Sequence, residues 1–577
     1  MEIPGKMGRL AENNNVDHPP SPPPHHPQSL AQFAVMIGRR GMTDVTSIYS
    51  DTGAAHRRLI ALAMFVVWLG VVSFLAWTHL VWRDEVKALS IALQGDSVFA
   101  MVKELRWEGH PALWYLLLRS AHTLVPRPEV LQLVSIVVAA LAVLILVLRA
   151  PFSLPLLALI LTARFSMYEY SVMARNYGIS MLLLFLFAAF YERHRDRDCL
   201  LGVLLFLLAN CNVHSVLLVG GLLLFWFVDI LCGEAANKLR NIRMFLYNAA
   251  LAAIGVVTCF ITVFPTLADS IRIDPNSVTF KTLIKGMFLP SLQFYSWGLP
   301  GPDRLARLMP LLGKPLTIVK SLILFGSTLG LIRRTGAFLA ALTTLVGFSL
   351  FFVVLIPGSY RHQALWLVFL ICMYWLAVPG NAQKEPVSPV RLKPFVGRLS
   401  TAGTALFVLV LLLQLRYSAQ KVFGTVIAPV AALDNRNNNV RSILAGHPDL
   451  KQAVIIADPD FLLETLPYYV SNPTYLMREQ RYGNVVHFTR KAQLELSLGD
   501  VLTNGRRLQQ ATGRPVVILL SHEIDPSLPA QVYKEGINWT FTIMPEQARA
   551  FQLSTRLLKH RAPAETFEEY YAYAMDK

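Results

Sequence analysis

Long apolar runs recur along the chain from residue 59 to residue 415, and they constrain its fold more than any other feature. A helix needs about 20 apolar residues to cross the hydrocarbon core of a bilayer. With 54% hydrophobic and only 16% charged residues, the chain is also too apolar for a soluble protein of this size. The sequence therefore predicts a polytopic α-helical membrane protein with about eleven transmembrane helices. The predicted spans lie at 59–77, 130–148, 151–167, 178–191, 199–213, 214–231, 244–264, 315–332, 337–356, 363–379 and 399–415.

Basic residues in the short loops between these runs indicate the orientation. "HRR" at 56–58 precedes the first run, "ERHRDRD" follows the run at 178–191, and "RR" stands at 333–334. Because positive residues mark the cytoplasmic side of short loops, we expect a cytoplasmic amino terminus and an external carboxyl-terminal part. The formal net charge of +16 follows from this scattered distribution. It does not indicate nucleic-acid binding.

Composition divides the chain into three regions. Residues 1–57 are rich in Pro and Asn and predict a disordered cytoplasmic tail. Residues 58–416 form the transmembrane domain, and residues 417–577 are expected to form an extracytoplasmic α/β domain. In that domain "QAVIIADPD", "NVVHFT" and "PVVILLSH" predict strands, while "FLLETLPYYV" and "LELSLGDVLTNGRRLQQATG" predict helices. This alternation favours a largely parallel sheet, and no Gly-rich phosphate loop follows a strand to indicate nucleotide binding.

Two adjacent acids, Asp84 and Glu85, follow the first run in the outer loop 79–129. Carboxylates at this boundary lose part of their hydration, so their pKa values depend strongly on their neighbours. One acid of such a pair can act as the base that accepts a proton, while the other acid holds that base in position. A solvated helix end is the alternative, but Glu108 and His110 add polar groups to the same loop. We predict that Asp84 and Glu85 are catalytic and that Glu108 and His110 bind substrate.

Glu169 and Arg175 lie in the second outer loop, 166–177, and Arg361 and His362 lie in a later one. Arginine can hold a phosphate bidentately; snorkelling towards the interface is the alternative role. We predict that these four residues bind a substrate with a phosphate headgroup and a lipid tail. A nearby carboxylate can then deprotonate an incoming hydroxyl or amine, which attacks the anomeric carbon of a sugar as the lipid phosphate departs.

Three motifs carry a resemblance to a known family. "WRDE" at 82–85, "EGHPALWYLLL" at 108–118 and "YEYSVMARNYG" at 168–178 resemble the GT-C glycosyltransferases of the protein O-mannosyltransferase and aminoarabinose transferase superfamily. The resemblance covers roughly residues 58–380. It implies that Asp84 is the catalytic acid, that Glu85 is its neighbour and that the "HPALWYLLL" run is an interfacial helix, which agrees with the charge pattern. It also implies a polyprenyl-phosphate sugar as donor and inversion at the anomeric carbon.

We therefore expect an inverting glycosyltransferase in the bacterial inner (plasma) membrane, with its C-terminal domain in the periplasm. Its partners would be the bilayer, a polyprenyl-phosphate-linked sugar and an extracytoplasmic acceptor, which is a glycolipid, a polysaccharide or a protein. The resemblance leaves open a divalent cation, whose ligands would be Asp84 and Glu169. Two alternatives stay open: a transporter or flippase for a lipid-linked substrate, and a noncatalytic membrane scaffold.

Overall fold

The computed structural model describes residues 51–233, 238–264, 278–294, 309–355, 357–378, 393–427, 439–534, 538–561 and 569–576. The predicted disordered tail therefore lies outside the described residues, apart from its last few positions. Those positions are helical, because the first helix begins at Asp51 rather than at residue 58.

The described chain is mostly helical up to residue 427. We number the helices in chain order: α1 (Asp51–Thr78), α2 (Arg83–Ala92), α3 (Val98–Glu104), α4 (Leu113–Leu124), α5 (Val130–Arg149), α6 (Leu154–Thr162), α7 (Tyr177–His194), α8 (Leu200–Ala209), α9 (Ser215–Cys232), α10 (Lys238–Val263), α11 (Phe280–Phe288), α12 (Met309–Thr328), α13 (Thr335–Val354), α14 (Tyr360–Ala377) and α15 (Lys393–Ile427). Each predicted span overlaps one of these helices, although α6 covers only residues 154–162 of the span predicted at 151–167. A local apolar run is therefore a reliable indicator of a helix here.

Six helices among the described residues are long and apolar enough to cross a membrane: α1, α5, α9, α10, α13 and α15. Helices α6 and α8 contain only 9 and 10 residues. At about 1.5 Å per residue, each reaches roughly half the thickness of a bilayer core. The count of about eleven spans thus remains a prediction for the other five runs.

Helix α14 occupies the centre of the helical part. Every residue from Gln363 to Leu376 is buried, and the helix packs against α7 and α13. A helix that is buried on all sides carries apolar residues around its whole circumference, as this one does. The first turn of α14, which contains Arg361 and His362, therefore lies within the protein. It is next to the loops 79–129 and 166–177, which carry the predicted site.

The short helix α8 and the long helix α10 pack closely because glycines stand at their contact. A Cβ atom on Gly255 of α10 would lie 2.7 Å from the Cα of Phe206 in α8, and one on Gly202 would lie 2.8 Å from the Cα of Asn248. The Asn248 side chain accepts a hydrogen bond from the Gly202 N–H. Small residues permit this approach of two backbones, as is common between helices in membranes.

The C-terminal region is an α/β structure. Its helices are α16 (Val440–Ala445), α17 (Leu466–Tyr469), α18 (Leu498–Thr512) and α19 (Pro545–Ser554); its strands are β1 (Val454–Asp458), β2 (Tyr475–Leu476), β3 (Arg481–Tyr482), β4 (Glu495–Ser497), β5 (Val516–Leu520), β6 (Gln531–Lys534), β7 (Thr540–Ile543), β8 (Thr555–Arg561) and β9 (Tyr570–Met575). The predicted strands around β1 and β5 are confirmed. The predicted helix at α18 is confirmed too, and it ends at Gly513, whose φ of 67° suits glycine.

The expectation of a largely parallel sheet was wrong. The largest sheet has the order β1-β5-β9-β8, in which only β1 and β5 are parallel, and a second sheet, β4-β7-β6, is also mixed. The "NVVHFT" segment is not a strand either. The Val486 N–H donates to the Glu464 carboxylate and the Val486 carbonyl accepts from Lys87, so side chains take the place of a neighbouring strand.

The glycine contact between α8 and α10 gives a test of the helical packing. In Gly255→Ala the new methyl group meets the backbone of Phe206, so we expect the melting temperature in detergent to fall by a few degrees. Gly70→Ala, in α1, is the matched control because a Cβ there meets nothing within 4 Å. Alanine favours helices by about 1 kcal/mol over glycine, so equal stabilisation of both variants would contradict the packing described here.

Candidate functional site

The Glu85 carboxylate joins the loop that follows α1 to the loop that precedes α7. It accepts hydrogen bonds from His79 Nε2 at 2.9 Å, from the Trp82 N–H at 2.8 Å and from the Ala174 N–H at 2.6 Å. The Tyr168 hydroxyl lies 2.9 Å from His79 Nδ1 and extends the connection. Burial would raise the pKa of Glu85, but His79 and the two N–H groups outweigh it and hold the pKa below its ordinary value.

Glu85 is therefore placed as an anchor rather than as a catalytic group. Its side chain is completely buried, with 0% exposure, and both carboxylate oxygens face protein donors. A substrate cannot reach it. The loop that it holds is itself buried from Phe165 to Val172 and contains a π-helix, Phe165–Glu169, instead of forming a solvated connection. The prediction that Glu85 is catalytic is thus replaced by a positioning role.

Asp84 is the accessible acid of the pair, with 24% of its side chain exposed. Arg175 Nη1 donates to the Asp84 carbonyl at 2.6 Å and lies 3.6 Å from its carboxylate, and Arg83 lies 3.3 Å from the same carboxylate. Burial would raise the pKa of Asp84, but Arg175, Arg83 and Arg361 outweigh it and hold the pKa far below its ordinary value. Asp84 is therefore ionised.

Arg361 and His362 reach this site from the first turn of α14. The Arg361 guanidinium lies 4.1 Å from the centre of the Trp82 ring, and its Nε donates to the Ser359 hydroxyl at 3.3 Å. Its Nη1 is buried and has no hydrogen-bond partner among the described residues. The prediction that Asp84, Arg175 and Arg361 come together is consistent with this geometry. The three residues form the centre of the candidate site.

Glu108 and His110 border the same site but differ in accessibility. Glu108 is 8% exposed and pairs with Lys87 at 3.1 Å, so it supports the loop rather than facing a ligand. The His110 Nδ1–H donates to the Glu108 carbonyl at 3.2 Å. Burial and the charge of Arg175 lower the pKa of His110, so the ring is neutral and its Nε2 is a hydrogen-bond acceptor.

Glu169 lies apart from the Asp84 cluster in its contacts. Arg164 Nη2 pairs with it at 2.6 Å, and the Arg164 guanidinium lies 3.9 Å from the ring centres of both Tyr360 and Tyr417. Asp84 has arginines as its charged partners, which is unfavourable for a cation. Over the described ranges, no three His, Cys, Asp or Glu side chains are grouped so that they could hold a metal ion. The residues therefore do not fit the hypothesis of a divalent cation held by Asp84 and Glu169.

The C-terminal region contributes an acid that the sequence did not indicate. Glu464 is completely buried, lies 3.2 Å from Lys87 Nζ and 3.8 Å from Arg83 Nε, and thus contacts the helix that carries Asp84. Burial raises the pKa of Glu464, although Lys87 and Arg83 oppose this. The only signal in the sequence was a single acid in the apolar segment "FLLETLP", where a buried acid requires a partner.

Further contacts hold the C-terminal region on the loop 79–129 and on the start of α5. The Tyr469 hydroxyl donates to the Val81 carbonyl at 3.2 Å, and Gln132 donates to the Tyr468 hydroxyl at 2.7 Å. His487 stacks on Trp107 with ring centres 4.6 Å apart. The C-terminal region therefore covers one side of the loop that carries the candidate site.

Comparison with protein-family profiles, with curated protein sequences and with solved structures finds no match to this chain. The site is therefore interpreted from its own geometry.

The buried contacts of Glu85 predict that substitutions at two acids of the same loop, Glu85 and Asp96, differ in their effect on the stability of the protein. The Trp82 and Ala174 N–H groups donate to different oxygens of Glu85, so in Glu85→Gln the amide NH₂ would face one of these two donors, at a cost of about 1–3 kcal/mol. We expect a lower melting temperature in detergent. The control is Asp96→Asn, because Asp96 is exposed; an equal melting temperature for both variants would contradict the anchoring role.

The ion pair with Glu464 predicts how firmly the C-terminal region is held. Glu464→Gln removes one of the two carboxylates that face Lys87, so we expect limited proteolysis of the C-terminal region to accelerate by about fivefold or more. Asp449→Asn is the control in the same region, because Asp449 forms an exposed pair with Arg556 and such pairs contribute little. Unchanged cleavage of Glu464→Gln would show that this pair does not hold the region in place.

Proposed function

We propose that the protein is an inverting glycosyltransferase that moves a sugar from a polyprenyl-phosphate donor to an extracytoplasmic acceptor. The acceptor is a glycolipid, a polysaccharide or a protein of the cell envelope. The proposal includes about eleven membrane crossings in the inner (plasma) membrane, a cytoplasmic amino terminus and a periplasmic C-terminal domain. It rests on one observation, the position of the partly exposed Asp84 carboxylate beside Arg175 and Arg361.

The arginines supply what a lipid phosphate needs. Each guanidinium can offer several N–H donors in a plane that matches phosphate oxygens. The Nη1 group of Arg361 is buried without a partner in the described part of the chain, so it has bonding capacity left for a ligand. The first turn of α14 and the loop before α2 both lie next to apolar helices, where a polyprenyl tail can remain in lipid.

Transfer would then use Asp84 as the base. An acceptor hydroxyl gives its proton to the Asp84 carboxylate while its oxygen forms a bond to the anomeric carbon. The bond from that carbon to the phosphate oxygen breaks, and the phosphate leaves with the electron pair. Arg175 and Arg361 stabilise the charge that develops on it. Attack on the face opposite the leaving group inverts the anomeric carbon.

The same arginines would couple base strength to donor binding. While they face only Asp84, its pKa stays low and it is a weak base. A bound phosphate adds negative charge next to the arginines and offsets part of their effect, so Asp84 then accepts a proton more readily. Without a bound donor, Asp84 is therefore too weak a base to activate an acceptor hydroxyl.

Substitution of Asp84 tests the proposal. A deletion strain of the source organism is complemented with wild type or Asp84→Asn at matched membrane levels, and envelope glycans and glycolipids are compared by mass spectrometry. We expect one sugar-bearing species to be absent from the deletion strain and to be restored by wild type. Loss of the base should reduce its formation by about a hundredfold or more in Asp84→Asn.

The control is again Asp96→Asn, an exposed acid of the same loop, which should restore the product fully. Full restoration by Asp84→Asn would overturn the catalytic role. A transporter, a flippase or a scaffold would then be the better explanation of the outer-loop residues.

A further inference from the structure

A cavity lies between the C-terminal region and the segment that leads into α5. Its volume is about 480 Å³, within the range of about 300–1,000 Å³ that is typical of small-molecule sites. Pro128 lines it from the helical part, and most of its other lining residues lie between Pro467 and Thr474. We name this space the tyrosine cleft, because Tyr468 and Tyr469 line it.

The two tyrosine rings are fixed at their hydroxyl ends. They meet edge-on, with ring centres 5.0 Å apart. The Tyr469 hydroxyl donates to the Val81 carbonyl, and the Tyr468 hydroxyl accepts from Gln132. Tyrosine offers a large, rigid and amphipathic contact area at a low cost in conformational entropy. The rings therefore form a preorganised wall for a ligand.

The tyrosine cleft also has polar groups with bonding capacity left. The side-chain amide of Asn484 lines it and makes no hydrogen bond to any other described residue. Arg441 Nε donates to the Tyr469 carbonyl at 2.7 Å, which holds the guanidinium at the cleft while its other N–H groups stay available. An amide offers two donors and an acceptor oxygen, and a guanidinium offers donors only. A ligand with both donors and acceptors can use this set.

The composition of the lining favours a saccharide over a protein side chain. Among the described residues that line the tyrosine cleft, only Pro128, Pro467 and Val470 are apolar, and none is acidic. An apolar side chain would therefore meet mostly polar groups, and a lysine would meet the charge of Arg441 without a carboxylate. A sugar carries hydroxyls that both donate and accept, and its C–H faces can pack on tyrosine rings.

The tyrosine cleft adjoins the loop that carries the candidate site. Tyr469 reaches the backbone of Val81, which precedes Asp84 by three positions. Three residues span at most about 11 Å even when the chain is fully extended. A short oligosaccharide in the cleft is therefore close enough to present one end to the Asp84 carboxylate.

We propose that the tyrosine cleft binds a saccharide portion of the acceptor, which makes the acceptor a polysaccharide or a glycolipid rather than a protein. The inference rests on the proposed function and narrows its acceptor class. It assigns Tyr468 and Tyr469 to packing against sugar rings, and Asn484 and Arg441 to hydrogen bonds with sugar hydroxyls.

Binding to the purified full-length protein in detergent tests this assignment. The probe is the delipidated, protease-treated glycan fraction of the envelope of the deletion strain, whose acceptor has not received the sugar. We expect the wild type to bind this fraction. In Asn484→Ala we expect the affinity to fall about threefold to tenfold through the loss of one or two hydrogen bonds. In Ser471→Trp, where an exposed lining residue becomes a bulky ring that fills the cleft, we expect a loss of at least tenfold.

The matched controls are Gln510→Ala and Gln510→Trp, because Gln510 is an exposed amide of α18 in the same region and does not line the cleft. Both should bind as the wild type does. Equal binding by the wild type and Ser471→Trp would overturn the assignment, since the glycan would then bind elsewhere. No binding by the wild type, or binding only to peptides from a digest of the envelope proteins, would also overturn it. The transferase proposal is tested independently by Asp84→Asn and can hold in each of these cases.

Discussion

The buried carboxylate of Glu85 is the contact on which the rest of the site depends. It bonds His79 just after α1, the backbone of Trp82 just before α2 and the backbone of Ala174 in the loop before α7. Such charge-assisted bonds are stronger than neutral ones, and burial keeps water from competing for them. Because neighbouring residues at a helix start point in different directions, fixing Glu85 inward turns Asp84 outward. The two acids thus have separate tasks, one in holding the fold and one at the surface of the site.

Charge balance supports the proposal that the site binds an anion. Asp84 is surrounded by three arginines, while Lys87 is neutralised by Glu108 and Glu464. Positive charge therefore remains in excess beside the one partly exposed carboxylate. In a poorly hydrated environment, charges at a few ångströms interact much more strongly than in water. An anionic group in this site would be attracted by the excess positive charge, and a lipid phosphate would therefore be a suitable ligand.

Local patterns in the sequence predicted the helices well, since an apolar run specifies a helix without reference to the rest of the chain. Through the positive-inside tendency, the sequence also predicted that Asp84, Arg175 and Arg361 lie on one side of the membrane, and their mutual contacts are consistent with this. It did not separate Glu85 from Asp84, because the difference arises from the Ala174 N–H of another loop. The role of Glu464 was hidden for the same reason. The "NVVHFT" run was wrongly predicted to be a strand, because the backbone of Val486 bonds the side chains of Glu464 and Lys87 rather than a neighbouring strand.

The contact of Lys87 with the C-terminal region has a consequence for the synthesis of the protein. Lys87 and Val486, whose carbonyl it reaches, are 399 positions apart in the chain. Contacts between such distant residues form late, after the intervening segments have been made and placed. Until then the buried ammonium group lacks Glu464 as its second carboxylate partner. In a nascent chain the loop of Asp84 is therefore incompletely supported until the C-terminal region has been made and has folded onto it.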